Sequence, residues 1–386
     1  MLNFEYYNPT RIVFGADTIA NVHHLVPKKA RVLVLFGGES ARKNGTLTEV
    51  EEALGSRKVR LFGGIEPNPT YETLMQAVKI VKEKKIDFLL AVGGGSVIDG
   101  TKFIAAAACY DKKNKWKIAQ THGQGIEKAI PFGTVLTLPA TGSEMNNGAV
   151  ITNKELKAKL AFRSDLVFPV FSILDPNKTF TLPERQTVNG IIDSFVHVME
   201  QYLTYPANAM LQDNFAESLL RILIDIGPKL IEQPDNYDLR ANMMWVATLA
   251  LNGLISAGVP QDWTTHMIGH ELTALYDIDH ARTLAVVLPS VMHVCRNRKK
   301  EKLLQYADKV WSINKGNQKE RIDTAIQRTR DFFEQLGVAT RLSDYKVGKT
   351  QIDIILAQLK DHDMVALGER QAVTLPVSRK ILENCF

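Results

Sequence analysis

The sequence is poor in the features that mark several large classes of protein. It has three cysteines among 386 residues, Cys109, Cys295 and Cys385, and no Cys-x-x-Cys pair. A disulfide framework and a cysteine-built zinc site are therefore not expected, and a reducing compartment is favoured. The first residues lack a basic segment followed by an apolar one, so we expect no secretory signal peptide.

Long apolar runs and an excess of one charge are absent too. No stretch reaches the roughly 18–20 apolar residues that a helix needs to cross a bilayer. The formal net charge is only +5, and basic residues are interspersed with acidic ones. No membrane and no nucleic-acid partner is expected, and we predict a cytoplasmic protein. The densest basic run, 296–300, is interpreted as a solvated helix end.

The sequence does contain two patterns that meet near residue 180, and its length predicts two domains. In 1–180, short β-branched runs alternate with helical periods, which predicts an α/β domain with a mostly parallel, Rossmann-like sheet. In 181–386 the periods are helical, with breaks at four prolines, which predicts an all-α domain. The breaks are placed at Pro206, Pro228, Pro234 and Pro260. The predicted strands are 31–36, 58–62, 87–92 and 133–138. The predicted C-terminal helices are 184–203, 209–226, 238–257, 262–275, 283–297, 301–312, 318–336 and 349–359.

Glycine and hydroxyl groups follow three of the predicted strands. The segments are Gly37–Ser40, Gly93–Asp99 and Thr137–Glu144. Glycines let a backbone approach an anion, and a helix N-terminus attracts phosphate, so the segments indicate a nucleotide crevice at the carboxyl edge of the sheet. The pattern is not Gly-x-Gly-x-x-Gly, and a tight turn with a capping box between Ser96 and Asp99 is the alternative.

Imidazoles and a carboxylate recur at helical spacing in the second half. Asp193 and His197 are four residues apart and share one helix face, His266 and His270 repeat that spacing, and His280 follows. One carboxylate with two or three imidazoles suits Zn²⁺ or Fe²⁺ better than Mg²⁺ or Ca²⁺. A hydrogen-bonded pair on a helix surface is the alternative for an isolated Asp-x-x-x-His. Spacing leaves open whether His270 is a ligand.

Over its whole length the sequence resembles the iron-containing (group III) alcohol dehydrogenases, in their branch of butanol dehydrogenases and NADPH-dependent aldehyde reductases. The resemblance implies metal coordination by four side chains, with His270 close by as a catalytic residue outside the ligand set. The four implied ligands are Asp193, His197, His266 and His280. The most specific segments are Gly93–Asp99, Thr137–Glu144, Leu174–Pro176, Gly190–Tyr202, Gly269–Glu271 and Asp279-His280.

The resemblance also implies a set of dinucleotide contacts and a homodimer that pairs through the N-terminal domain. The implied contacts are Gly37, Gly38 and Ser40 at the adenosine ribose, Gly94, Gly95 and Ser96 at the pyrophosphate, Asp99, Thr137 and Thr141 toward the nicotinamide, and Lys159 elsewhere on the cofactor.

Glu39 departs from the small residue that NADPH-preferring relatives have at this position. A carboxylate there can accept a hydrogen bond from a ribose 2′-hydroxyl, which favours NAD(H), and would repel a 2′-phosphate. Ser40, Arg42 and Lys43 favour the phosphate instead. NADP(H) is the preferred expectation and NAD(H) the alternative, with one Fe²⁺ or Zn²⁺ per chain.

The predicted function is a metal-dependent alcohol dehydrogenase or aldehyde reductase, which transfers a hydride between NAD(P)H and a small aliphatic aldehyde or primary alcohol. The first alternative is a metal- and NAD-dependent cyclising lyase that resembles dehydroquinate synthase. It would need several cations around the metal, whereas the helices of Asp193 and His266 are mostly apolar. The second alternative is a non-catalytic nucleotide-binding protein with a structural metal. A structural zinc site also has four protein ligands, so the number of ligands does not distinguish this alternative from an enzyme.

Overall fold

The computed structural model describes residues 1–386 as two compact units. The sheet unit contains Tyr7–Pro183 and Pro234–Thr248, and the helical unit contains Met1–Tyr6, Glu184–Gln233 and Leu249–Phe386. Two segments depart from the predicted division near residue 180. Residues 1–6 belong to the helical unit, and residues 234–248 belong to the sheet unit. The chain therefore enters the sheet unit a second time late in its course.

A six-stranded parallel sheet organises the sheet unit, which confirms the predicted Rossmann-like architecture. Its strand order is β1-β8-β5-β4-β2-β3. The strands of the unit are β1 Arg11–Phe14, β2 Arg31–Phe36, β3 Lys58–Phe62, β4 Phe88–Gly94, β5 Phe132–Leu138, β6 Gly148–Asn153, β7 Ala158–Arg163 and β8 Phe171–Leu174. Its helices are α1 Val22–Leu25, α2 Ser40–Lys43, α3 Thr46–Leu54, α4 Tyr71–Glu83, α5 Gly95–Cys109 and α6 Lys117–Gln120.

Both faces of this sheet are covered, which explains why its central strands read as continuous apolar runs. On β2, Leu33 and Leu35 belong to one buried cluster, and Val32 and Val34 belong to another. Successive side chains of a strand point to opposite faces, so the two clusters lie on opposite sides of the sheet. All four predicted strands are confirmed to within two residues at each end.

The order of the central strands creates a switch point between β2 and β4. The connection after β2 leads to β3 on one side, and the next strand, β4, pairs with β2 on its other side. Loops that leave neighbouring strands in opposite directions open a crevice at their carboxyl ends. Gly37 follows β2 there, and α5 begins at Gly95 directly after β4.

An antiparallel hairpin of β6 and β7 lies outside the main sheet and was not predicted. Gly148 pairs with Arg163, and Asn153 pairs with Ala158 at the other end. The hairpin carries Lys159. It packs against α5 with Ala149 and Ile151 in the same buried cluster.

The helical unit is built from long helices with one two-stranded hairpin. Its helices are α7 Glu184–Tyr202, α8 Met210–Glu232, α10 Thr264–Tyr276, α11 His280–Val294, α12 Lys300–Lys309, α13 Gln318–Gln335, α14 Ile352–Asp361 and α15 Leu375–Asn384. Between α8 and α10, α9 runs from Tyr237 to Ala250 and belongs mostly to the sheet unit. The hairpin pairs β9 Ala366–Leu367 with β10 Val373–Thr374. None of these helices combines the length and apolar character needed to cross a membrane.

The predicted helix break at Pro228 was wrong, because α8 continues through it to Glu232. A proline inside a helix removes one backbone donor, and it also crowds the Cβ of the residue before it. The preceding residue is Gly227, which has no Cβ, so this crowding is relieved. Gly227 also lies on the buried side of α8, where an added Cβ would be 3.4 Å from the Phe332 ring.

Candidate metal centre and nucleotide edge

Three helices of the helical unit bring four predicted metal ligands together. Asp193 and His197 lie on α7, His266 lies in the first turn of α10, and His280 is the first residue of α11. Asp193 Oδ1 is 3.7 Å from His197 Nδ1, 3.7 Å from His266 Nε2 and 3.8 Å from His280 Nε2. One ligand atom each of Asp193, His266 and His280 lies within 4.8 Å of the other two.

These distances and the burial of the donors fit a divalent transition metal. Two ligands about 2.1 Å from one tetrahedral ion lie roughly 3.4 Å apart, which is near the spacing observed here. The Asp193 and His266 side chains are only 5% and 6% exposed. His197 Nδ1 and His266 Nε2 are buried without a hydrogen-bond partner. Buried polar atoms normally have one, so a bound cation would complete the site.

Glu200, which the sequence analysis did not single out, fixes the orientation of His266. Its Oε2 atom contacts His266 Nδ1. Its Oε1 atom accepts hydrogen bonds from the backbone N–H groups of Thr265 at 2.6 Å and His266 at 3.2 Å. A carboxylate on one imidazole nitrogen leaves the other nitrogen available to a metal. Glu200 lies three residues after His197 on the same face of α7, and that spacing was the available signal.

Burial and the charges within the cluster shift the pKa values of two of its histidines in opposite directions. Burial lowers the pKa of His197 to about 4 despite the nearby Asp193 carboxylate. Burial also acts to lower the pKa of His266, but Glu200 and Asp193 outweigh it and raise that pKa to about 9. At pH 7 His197 is therefore neutral and ready to bind a metal. His266 would have to release a proton when a metal binds.

The turn that carries His280 is tied to the beginning of α7. Asp279 Oδ2 accepts hydrogen bonds from Arg185 Nε at 2.7 Å and from Asn189 Nδ2 at 2.9 Å. Asn189 is one helical turn before Asp193. Its hydrogen bond therefore holds the segment that carries His280 against the part of α7 that carries Asp193. Asp279 and His280 were recognisable in the sequence, whereas these two partners on α7 were not predicted.

His270 lies beside the ligand set, as the resemblance implied. Its ring centroid is 5.0 Å from that of His280 and 6.1 Å from that of His266. It is 4% exposed and belongs to the same helix as His266. Its role remains a prediction.

In the sheet unit, the three predicted glycine and hydroxyl segments lie at the ends of the neighbouring strands β2, β4 and β5. α5 begins at Gly95 and has no acidic residue in its first turn. Its free N–H groups at Gly95 and Ser96 are suited to a phosphate. Gly95 is also required sterically, because an added Cβ would lie 2.6 Å from Thr141 Cγ2.

The capping-box alternative for Ser96 and Asp99 was wrong. α5 has Gly94 as its N-cap and no side-chain cap. Asp99 instead accepts hydrogen bonds from Ser143 Oγ at 2.5 Å and from the Val150 N–H at 2.8 Å. These longer-range partners outcompete a local cap, and they join α5 to the loop after β5 and to β6.

A buried lysine that the sequence analysis missed stabilises the same junction. Lys102 Nζ donates to Asn146 Oδ1 at 2.8 Å and to the Gly148 carbonyl at 2.7 Å. Burial lowers its pKa to about 8, although the Asp99 and Glu144 carboxylates act in the opposite direction. A lone lysine three residues after Asp99, in an otherwise small and apolar helical stretch, was the available signal.

The other predicted cofactor residues lie around this edge. Thr137 is the penultimate residue of β5, and Lys159 on β7 donates to Asn68 Oδ1 at 2.9 Å. Glu39 precedes α2, and its Oε2 atom is 3.5 Å from Arg42 Nε, with both side chains more than half exposed. Gly38 has open space where a Cβ would be. The individual contacts with a cofactor stay predictions.

A nucleotide-binding sheet edge and a buried aspartate–histidine metal cluster are the two sites that define a metal-dependent dehydrogenase of this fold class. Two family models match the chain, "Iron-containing alcohol dehydrogenase" over residues 9–176 and "Fe-containing alcohol dehydrogenase family, C-terminal" over residues 187–377. The chain belongs to the iron-containing alcohol dehydrogenase family, and it is an oxidoreductase. Family membership sets aside the cyclising lyase and the non-catalytic alternative.

Among individual proteins, the chain is similar to the NADPH-dependent aldehyde reductase YqhD of Escherichia coli K12, with 58% identity over 99% of both chains. It is also similar to the probable NADH-dependent butanol dehydrogenase 1 of Bacillus subtilis 168, with 44% identity over 92% of both chains. A crystal structure of the E. coli K-12 protein YqhD superimposes with a TM-score of 0.99 and 56% identity, over 100% of this chain and 99% of that one.

Proposed function

We propose that this protein is an NADP(H)-dependent aldehyde reductase that requires one Fe²⁺ or Zn²⁺ per chain and acts on small aliphatic aldehydes. In reverse it would oxidise the corresponding primary alcohols. The observation that carries the proposal is the convergence of three imidazole nitrogens within 3.8 Å of one Asp193 oxygen. A carboxylate and neutral imidazoles form the donor set expected for these two metals.

In this proposal Asp193, His197, His266 and His280 hold the metal. When bound, the metal would supply Lewis-acid polarisation of the substrate oxygen, and the nicotinamide would supply or accept the hydride. Glu200 is a positioning residue in this account. Its carboxylate keeps His266 Nδ1 engaged, so that His266 Nε2 points toward Asp193.

The surroundings of the cluster support a small and weakly polar substrate. Trp263 lies 5.3 Å from the His266 ring and 6.2 Å from the His197 ring, measured between centroids. The side chains of Asp193, His197 and His266 are themselves only 5–6% exposed. Their burial beside Trp263 excludes bulk water, which strengthens electrostatic interactions at the reacting oxygen. His270 is proposed to exchange the proton of that oxygen.

The proposed preference for NADP(H) depends on the short helix α2. Arg42 lies close to the Glu39 carboxylate and partly neutralises it. Arg42 and Lys43 then offer two cations for a 2′-phosphate in the same turn. The name of the 58% identical E. coli relative includes NADPH, which supports this choice, although the 44% identical B. subtilis relative is named for NADH.

We also propose a homodimer that forms through the open edge of β1. Arg11 and Gly15 donate their N–H groups to the carbonyl oxygens of Val170, just before β8, and Leu174, the last residue of β8. The intervening donors of Ile12 and Phe14 therefore face away from the sheet. Phe14 and Val170 are 40% and 45% exposed at this edge. An unprotected apolar edge strand readily pairs with another copy.

The location proposed for the protein is the cytoplasm. Cys109, Cys295 and Cys385 form no disulfide. A chain with three unpaired thiols is suited to a reducing compartment.

Turnover of butanal with NADPH and with NADH tests the proposed activity. We expect NADPH oxidation, followed at 340 nm, to depend on butanal, with the larger kcat/KM for NADPH. A larger kcat/KM for NADH would contradict the proposed cofactor, and the absence of turnover with any C3–C6 aldehyde would contradict the substrate class. Light scattering of the wild type and Phe14→Glu tests the dimer, for which we expect a dimer and a monomer respectively.

A further inference from the structure

The helical unit contains a cavity of about 530 Å³ that the proposed dehydrogenase activity does not use. Its wall comes from the C-terminal part of α11, one side of α13, and the segments around Arg341 and Asn384. The volume lies within the range of small-molecule sites in proteins, about 300–1,000 Å³. His280 and His293 mark the two ends of α11, about 20 Å apart at 1.5 Å per residue, so the cavity is remote from the metal cluster.

The wall of the cavity is strongly basic. Four cationic side chains face one carboxylate, Asp323, so the net charge is +3 with His293 neutral. The cationic side chains are Arg296, Lys319, Arg330 and Arg341. Arg296 begins the basic run that the sequence analysis interpreted as a solvated helix end, and its place in the wall departs from that interpretation.

Most of this positive charge has no acidic partner within the cavity wall. Only Arg296 forms an ion pair there, with Asp323 at 2.6 Å. Arg330, which is 8% exposed, donates to the carbonyl and hydroxyl oxygens of Thr340 at 3.0 and 2.9 Å. Lys319 forms no ion pair. Glu334 is not part of the wall; it accepts a hydrogen bond from Thr340 Oγ1 at 2.6 Å, and its charge acts to raise the pKa of Arg330.

The Thr340 and Asn384 oxygens that hold the Arg330 and Arg341 guanidinium groups carry no charge. Arg341 Nη1 donates to the Asn384 carbonyl oxygen and to the main-chain oxygen of the last residue, Phe386, each at 3.2 Å. Burial lowers the pKa of Arg330, and Arg341 lowers it further. Fixed guanidinium groups that repel one another are suited to an anion, because each can bind two oxygens of a phosphate or carboxylate.

We propose that this cavity is a binding site for a small polyanion with two or more phosphate or carboxylate groups. The net charge of the wall requires more than one anionic group for neutralisation. The volume accommodates several such groups, whereas a single inorganic anion would fill only part of it. Nucleic acid is not the proposed ligand, because the cationic groups line one cavity and do not form an extended surface stripe.

Calorimetric titration of the metal-loaded enzyme, saturated with NADPH to fill the cofactor site, tests the proposal. Tripolyphosphate and citrate are the two probes, used at one fixed ionic strength because salt screens such interactions. The test variant is Arg296→Gln/Lys319→Gln. The control is Lys315→Gln/Arg328→Gln, which removes the same charge from exposed positions outside the cavity.

We expect at least one probe to bind the wild type and the control with one site per chain and similar Kd values. The test variant should bind that probe at least tenfold more weakly. Tighter binding of tripolyphosphate would identify a phosphate ligand, and tighter binding of citrate a carboxylate ligand. The absence of saturable binding, or equal Kd values for wild type and test variant, would overturn the proposal, as would equal weakening in the control.

Crystals of the wild type soaked in the tighter probe provide a readout that does not depend on a folded variant. Electron density for the probe between Arg296, Lys319, Arg330 and Arg341 is expected. A cavity that stays empty at a probe concentration ten times the calorimetric Kd would overturn the proposal.

Discussion

The metal cluster is formed by side chains, whereas the nucleotide edge is formed mainly by the backbone. The cluster consists of side chains from α7, α10 and α11, and it depends on further side chains such as Glu200 and Asn189 for orientation. The nucleotide edge consists largely of backbone, and Gly95 has no room for a side chain because Thr141 is too close. We therefore expect the cluster to be sensitive to the loss of polar atoms, and the edge to be sensitive to added volume.

The largest effect is expected from loss of a metal ligand. His266→Ala should lower kcat/KM by at least about a thousandfold, because Lewis-acid stabilisation of the transition state is worth several kcal/mol. The Kd for NADPH, measured by fluorescence titration, should stay within twofold of the wild type. Substantial turnover in the variant would reject His266 as a ligand, and a parallel loss of NADPH binding would remove the contrast between the two sites.

A smaller effect is expected when the positioning residue of the same cluster is changed. Glu200→Gln should weaken metal binding by about 10–100-fold, because an amide has one acceptor oxygen and cannot accept from both the backbone N–H groups and His266 Nδ1. Competition with a chelating dye measures this affinity directly. Glu217→Gln is the control, since Glu217 is a buried glutamate of the same unit that bonds Tyr202 and Gln305. Unchanged metal affinity in Glu200→Gln would show that His266 does not need this carboxylate.

At the nucleotide edge, added volume should matter more than lost polarity. Gly95→Ala would place a methyl group against Thr141, and we expect a loss of about 1–3 kcal/mol in unfolding free energy from overpacking. The Kd for NADPH should rise by about tenfold, which corresponds to about 1.4 kcal/mol. In the control, Gly148→Ala, the nearest atom is 3.7 Å from the added methyl group. A stable Gly95→Ala variant with wild-type affinity would refute the steric account.

The smallest effect is expected at the exposed helix α2. Arg42→Gln/Lys43→Gln should lower kcat/KM for NADPH by about three- to tenfold and leave that for NADH within twofold, because exposed charge interactions are worth up to about 1 kcal/mol each. Lys28→Gln/Lys29→Gln, also exposed in the sheet unit, is the control. Equal losses for both cofactors would place the 2′-phosphate elsewhere.

The same contrast explains what the sequence could predict. Asp193, His197, His266 and His280 bear chemically distinctive side chains, and helical spacing places three of them on known faces. The strands β2, β4 and β5 were predictable because burial on both sides leaves continuous apolar runs. Local patterns thus identified both regions.

The features that the sequence analysis missed or misassigned depend on contacts between distant segments. Asp99 lies at the spacing of a helix cap, yet its hydrogen bonds go to Ser143 and Val150, which no local pattern reveals. The strands β1 and β8 have four residues each and acquire their structure by pairing across the chain. Pro228 appeared as a helix break because the effect of Gly227 before it was not considered.

A titration of activity against bound metal tests the central claim most directly. Metal-free protein, prepared with a chelator, would receive increasing Fe²⁺ or Zn²⁺, and NADPH oxidation with butanal would be measured beside the metal content. The account predicts no activity without metal and a linear rise that ends at one equivalent per chain, with no such rise in His266→Ala. Full reductase activity in protein shown to contain no metal would contradict it.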